Sequence, residues 1–171
     1  MIESWSRHME NNQLIKLKLT NNVGNLNRVV GVLSRIGSKI TSMSCYSEPN
    51  DEHCVVNFSA DIAPADRRLV YYQMKNLQDV LSVEMVESGD SLVRESVLVR
   101  IPISFATDKA LQDVMDTYRT HVVHRSGESL ILEVVGRPEK IEGFLDAVKE
   151  FNPLEVQRGG ALTMHRERKD V

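Results

Sequence analysis

One order of patterns occurs twice along these 171 residues, and it limits the fold more than any other feature. Leu14 to Thr20 alternates, with Ile15, Leu17 and Leu19 on one side and Lys16 and Lys18 on the other, the mark of a half-buried strand. Asn21, Asn22 and Gly24 are turn and helix-entry residues. Leu26, Val29, Val30 and Leu33 then recur at helical spacing until Gly37 supplies a stop. Ile40–Ser47 reads as a second strand and Glu48-Pro49-Asn50-Asp51 as its turn. Val56, Phe58, Ala60 and Ile62, alternating with Asn57, Ser59 and Asp61, predict a third. Pro64 opens a helix over 65–77 lined by Leu69, Val70, Met74 and Leu77, and Leu81, Val83 and Met85 make a fourth strand. The order is βαββαβ.

The same order returns after a polar stretch. Val97, Val99, Ile101 and Ile103 alternate, with Pro102 near the strand's end, where a missing N–H matters least. Thr107 or Asp108 caps a helix faced by Leu111, Val114, Met115 and Tyr118. His121 to Arg125 and Ser129 to Val135 flank a Ser126-Gly127 hairpin. Pro138 starts a helix carrying Ile141, Phe144, Leu145 and Val148, and Leu154 to Arg158 is a last short strand. The expected class is α+β, two ferredoxin-like βαββαβ domains. Residues 1–13 are expected as a disordered tail, 14–87 as the first domain, 88–94 as a linker, and 95–171 as the second domain with a partly ordered basic tail from Gly159. The second strand of such a fold lies at a sheet edge with unpaired backbone groups, which predicts a homodimer joined along Ile40–Ser47.

The chain offers little for catalysis. A net charge of −3 gives no field for nucleic acid or an anionic membrane. No apolar run reaches the ~20 residues of a membrane span, and residues 1–12 lack a secretory apolar core, so the expected address is the cytoplasm. Cys45 and Cys54 fall roughly opposite each other across the expected hairpin and are read as free thiols. No phosphate loop, nucleophile elbow or Cys-x-x-Cys pair is present. His121 and His124, three apart on a strand, point to opposite faces and cannot chelate together; His53 beside Cys54 has the same difficulty. His165 with Arg166, Arg168 and Lys169 reads as a solvated tail. Neither a metal site nor a catalytic acid–base pair is expected.

The local feature with binding physics is Asn21-Asn22-Val23-Gly24-Asn25. It runs from a strand into a helix N-terminus, where free N–H groups and the positive dipole end favour a carboxylate. Gly24 permits close backbone approach, and asparagine amides donate and accept. A plain helix cap is the other reading of the same residues.

Asn21 to Gly37 resembles the opening of acetolactate (acetohydroxyacid) synthase small subunits, N-x-x-G-x-L-x-R-V-x-G-L-F-x-x-R-G-x-N-I. Lys75 to Val83 is similar to that family's K-L-x-D-V-x-x-V, and Arg94-Glu95 with Leu98 to Ile101 to its R-E-x-x-L-V-K-I. Tyr118-Arg119 and Arg158-Gly159-Gly160 stand where the family has F-R-G and R-S-G. The resemblance implies that the first domain is an ACT domain in a non-catalytic regulatory subunit. Its implied partner is a large catalytic subunit holding thiamine diphosphate, FAD and magnesium, with no cofactor on this chain. It further implies feedback by a branched-chain amino acid, usually valine, at an ACT dimer interface. The implied effector residues are Asn21, Asn22, Val23, Gly24, Asn25 and Leu26, with Lys39 and Ile40 at the start of the second strand. Lys39 departs from the family's asparagine: its ammonium repels that of an amino acid and can pair with the carboxylate, which predicts an altered effector response. The alternatives are a stand-alone ACT-type sensor and a metal-responsive regulator.

Overall fold

Strand β1 (Asn12–Thr20) buries Ile15, Leu17 and Leu19 and leaves Lys16 and Lys18 part-exposed, as its alternation requires. The computed structural model, which describes residues 11–87 and 89–167, continues with α1 (Val23–Arg35), β2 (Ile40–Ser47), β3 (His53–Asp61), α2 (Pro64–Lys75) and β4 (Val80–Val86). These strands form an antiparallel sheet in the order β2-β3-β1-β4. Val29, Val32, Leu33, Val70 and Met74 of the helices join Ile15, Leu17, Leu19, Val56, Phe58 and Ala60 of the sheet in one core. Both halves of the expected duplication are present. The second runs through β5 (Ser91–Pro102), a short 3-10 turn at Ile103–Phe105, α3 (Lys109–Tyr118), β6 (His121–Arg125), β7 (Ser129–Gly136), α4 (Pro138–Val148) and β8 (Glu155–Arg158), with sheet order β6-β7-β5-β8. Its own core gathers Val97, Val99, Ile101, Leu132 and Val134 with Leu111, Ile141, Phe144 and Val148. Two α+β ferredoxin-like units result.

An ion cluster is built into the second unit. Arg158 on β8 donates from Nη2 to Glu95 Oε2 on β5 at 2.6 Å and pairs through Nη1 with Glu142 on α4. Glu95 is only 6% exposed, so removal of that arginine would leave a buried carboxylate without its partner.

The departures from expectation have local causes. Asn12 and Gln13 already belong to β1, paired with Asp61 and Ala60, while residues 1–10 of the expected tail lie outside the described residues. β5 begins at Ser91 inside the stretch expected as a linker, and Ser91 is buried. In β4 the register shifts so that Leu19 faces Val80; Leu81 is the extra residue and turns outward, 54% exposed. Helix α2 buries only a Val70–Met74 stripe and leaves Leu69 half-exposed. β3 is buried on both faces, Asn57 and Ser59 included, where alternation predicts one wet face.

What covers Asn57 is the chain's own C-terminal segment. The tail expected to be only partly ordered from Gly159 forms β9 (Leu162–His165), and residues 160–167 belong to the first unit, whereas Val93–Gly159 form the second. Arg168 and Lys169 lie outside the described residues. Thr163 Oγ1 donates to Asn57 Oδ1 at 2.9 Å, Asn57 Nδ2 to Ser44 Oγ at 3.2 Å, and Ser44 Oγ to the Ala161 carbonyl at 2.8 Å. His165 is held between Glu84 Oε1 (2.5 Å from Nε2) and Ser91 Oγ (3.3 Å from Nδ1). Polar groups on β1, β2, β3 and β4 thus acquire partners that no alternation rule reveals.

Candidate functional site: the first strand-to-helix corner

Two residues separate β1 from α1, so the chain must turn sharply, and the asparagines make the turn. Asn22 is the N-cap in extended conformation, its Oδ1 accepting from the Gly24 amide at 2.7 Å. A Cβ on Gly24 would approach that oxygen to 3.1 Å, so the cap is tightest with glycine here. Asn21 donates from Nδ2 to Ser47 Oγ (3.0 Å) and to the Asp51 carbonyl (3.2 Å), tying the corner to the end of β2 and to the hairpin after it. Buried Asn25 donates to the Thr20 carbonyl at 3.2 Å, closing the loop from below. Ser47 Oγ in turn donates to Asp51 Oδ1 at 2.6 Å. Ser47 and Asp51 were not singled out from sequence; the only available signal was their place at the ends of the expected turn.

Much of the corner's hydrogen bonding is therefore internal. Among the described residues, Asn21 Oδ1 and Asn22 Nδ2 carry no bond, and both residues are exposed. The Val23 amide at the first helical position has no carbonyl a turn earlier in the helix to accept it. Val23 itself is 75% exposed. The corner retains one acceptor, one side-chain donor and an N-terminal amide, beside an apolar side chain.

Lys39 and Ile40, exposed like the corner, stand at the other end of the sheet. Ile40 pairs with Ala60, which pairs with Gln13 at the start of β1, whereas the corner follows its end. Eight residues of β2, about 25 Å, separate the two groups. Asn21, Asn22, Val23, Gly24, Asn25 and Leu26 are brought together in one chain; Lys39 and Ile40 are not brought to them. Arg28 on α1 reaches Asp79 (Nη1–Oδ2 3.1 Å).

The cysteines are both free thiols. They sit diagonally rather than opposite, because Cys45 pairs with Val56 and Cys54 with Ser47. Burial, reinforced by the charge and hydrogen bonding of neighbouring Cys45, pushes the Cys54 thiol above its ordinary range. The histidines of β6 also differ from expectation. A register shift after Val122 sets His121 against Glu133 and His124 against Ile131, so both lie on one face of the strand. Among the described residues, no three His, Cys, Asp or Glu side chains are grouped to hold a metal ion. No helix among them is long and apolar enough to cross a membrane.

Comparison with known proteins covers both units. Residues 94–167 match the family described as the small subunit of acetolactate synthase. The acetolactate synthase small subunit of Buchnera aphidicola is 22% identical over 158 residues, spanning 90% of this chain and 98% of that one. That of Haemophilus influenzae is 24% identical over 162 residues, 93% and 98% of the two chains. The crystal structure of the acetolactate synthase small subunit from Thermotoga maritima shares the fold, with a TM-score of 0.78 at 18% identity over 92% of this chain and 99% of that one.

Proposed function

We propose that this chain, whose kinship is with the acetolactate synthase small subunits, is a non-catalytic cytoplasmic subunit that tunes a catalytic large subunit to the supply of a branched-chain amino acid. The large subunit holds the thiamine diphosphate, FAD and magnesium of the reaction, and this chain supplies contacts rather than chemistry. The effector sits between two copies of the first unit. What carries the reading is the division of the candidate residues between opposite ends of β2, an edge strand. Two copies joined antiparallel along β2 about a two-fold axis set the Asn21–Leu26 corner of one beside Lys39 and Ile40 of the other. Two equivalent, shared sites follow, and the exposed backbone edge of β2 is paired in the same step.

In such a site the amino acid's carboxylate meets the Val23 amide, Asn22 Nδ2 and the Lys39 ammonium of the second copy. Its ammonium turns to Asn21 Oδ1, and its branched side chain lies against Val23 and Ile40. Lys39 strengthens the carboxylate contact and weakens the ammonium one, which favours ligands whose acid group is held closest. Effector binding prefers one arrangement of the pair, and that preference biases the contacts made to the large subunit.

The test is to titrate the large subunit with this protein and follow acetolactate output with and without valine, leucine and isoleucine, beside calorimetry of each amino acid on this protein alone. Activation of the large subunit and a measurable heat with at least one of the three are expected. Lys39→Asn is expected to change affinity about tenfold or more, since one displaced charge contact exceeds the 1.4 kcal/mol that tenfold represents. An unchanged titration with Lys39→Asn excludes that residue from the site; absence of any heat excludes the sensor.

A further inference from the structure

The feature that this regulatory reading leaves unused is the C-terminal segment on the first unit. It is fixed to β2 in two ways. Gly160 lies on the backbone of β2: a Cβ there would stand 2.5 Å from the carbonyl carbon and oxygen of Met43 and 2.7 Å from the Ser44 nitrogen. Those are backbone atoms, so no side-chain rotation relieves the approach. Beside it, Ala161, Ser44, Asn57 and Thr163 form a run of hydrogen bonds, from the Thr163 hydroxyl to the Asn57 amide, to the Ser44 hydroxyl and on to the Ala161 carbonyl. At its far end Lys16 donates to the Thr163 carbonyl at 3.5 Å, His165 meets Glu84 and Ser91, and the Arg166 amide donates to the Asp90 carbonyl at 3.0 Å.

Ser44 and Met43 are mid-strand residues of β2, which starts beside Lys39 and Ile40 and ends at Ser47, bonded to Asn21 of the corner. Gly160 follows Gly159 and β8 directly in the chain. A shift or twist of β2 therefore cannot leave Gly160 and Ala161 where they are, and any displacement of those two residues pulls on the chain leading back to Arg158.

We propose that β9 is a relay: the state of β2, set by effector at its ends, passes through Ser44 and Gly160 to the C-terminal segment 160–167. This rests on the regulatory reading for its input, but the mechanical link between β2 and β9 does not. Allosteric coupling needs an element that both ends bias, and a strand joined to β2 by a side-chain circuit and a glycine contact is such an element.

Hydrogen exchange on the full chain tests both parts. Without any amino acid, Gly160→Ala is expected to speed exchange of Ile40–Ser47 and of Leu162–His165 together, by about tenfold, while α1, α2 and the second unit keep their rates. Ser44→Ala removes the middle of the circuit without touching backbone and serves if Gly160→Ala does not fold; the same paired change is expected, smaller in size. Faster exchange in Leu162–His165 with β2 unchanged, or no change in either, overturns the relay. With valine added, exchange in both segments is expected to change in the native protein, and in Ser44→Ala only β2 is expected to respond. A native protein that binds valine by calorimetry while Leu162–His165 stays unaffected also overturns it. A native protein that binds none of valine, leucine and isoleucine removes the sensor instead, and the ligand-free comparison still decides the relay.

Discussion

The two units enter their first helices differently. In the first, Asn21 and Asn22 alone separate β1 from α1; in the second, a 3-10 turn and three further residues intervene between β5 and α3. Both helices are capped by a side-chain oxygen accepting from the second helical amide, Asn22 to Gly24 at 2.7 Å and Asp108 to Ala110 at 2.8 Å. One cap is a neutral amide with a donor to spare, and the other is a carboxylate. A helix N-terminus already holding an aspartate has its positive end occupied, whereas one capped by asparagine still favours an anion. Topology alone therefore distinguishes nothing between the halves; a single atom type at the cap sets which helix N-terminus still favours an anion.

The largest break in the comparison comes from the Arg158–Glu95–Glu142 cluster of the second unit. Arg158→Met strands the buried Glu95 carboxylate and is expected to cost about 3–5 kcal/mol, seen as faster hydrogen exchange through β5, β7 and β8. Loss of protection confined to the first unit would refute the assignment of Arg158 to the second unit's stability.

Next in size is a swap of caps. Asn22→Asp is expected to leave the fold intact, or to stabilise α1 by about 0.5 kcal/mol, while weakening valine binding more than tenfold through carboxylate repulsion. Asp108→Asn is expected to leave valine binding as it was. Calorimetry on the two variants gives the answer, and equal losses in both would erase the distinction drawn above.

The smallest effect separates the units by pH. Cys54 is held above its ordinary range by burial and then by Cys45, so the folded first unit keeps a proton that the unfolded chain releases. Its contribution is complete below the ordinary thiol range and is lost as pH rises from there through the raised folded value. Glu155 is held below the usual carboxylate range by hydrogen bonds from Arg100 and then Gln157. Its contribution is present above that range and is lost as pH falls from there through the lowered folded value. Urea midpoints followed by hydrogen exchange are expected to show the first unit softening in alkali and, more faintly because Glu155 is exposed, the second in acid.

Most of the architecture was legible because strand and helix periods are local. β1, α1, α4 and the Ser126-Gly127 hairpin stand where alternation, Pro138 and Gly37 put them. Two misreadings came from single-residue register shifts, at Leu81 and after Val122, which depend on a partner strand and leave no mark in the strand that carries them. The double burial of β3 and the order of the C-terminal segment are non-local, set by residues a hundred positions apart. Gly159-Gly160 followed by Leu162-Thr163-Met164-His165 does alternate, but in the sense opposite to the usual one: Thr163 and His165 are half-buried against the sheet, while Leu162 and Met164 are exposed. At the candidate site, the corner residues were identifiable as a group; that Lys39 and Ile40 belong to the far end of the sheet follows only from register.

The enclosure of Asn57 has a consequence for synthesis. Because the cover of the first unit is made from residues 160–167, a ribosome that has released β1 through β4 has delivered a sheet whose polar outer groups still face water. The first unit cannot reach its final form until residues 160–167 leave the exit tunnel, after the whole second unit has been made, and a nascent chain cut short in β8 would expose an unsealed sheet to other molecules.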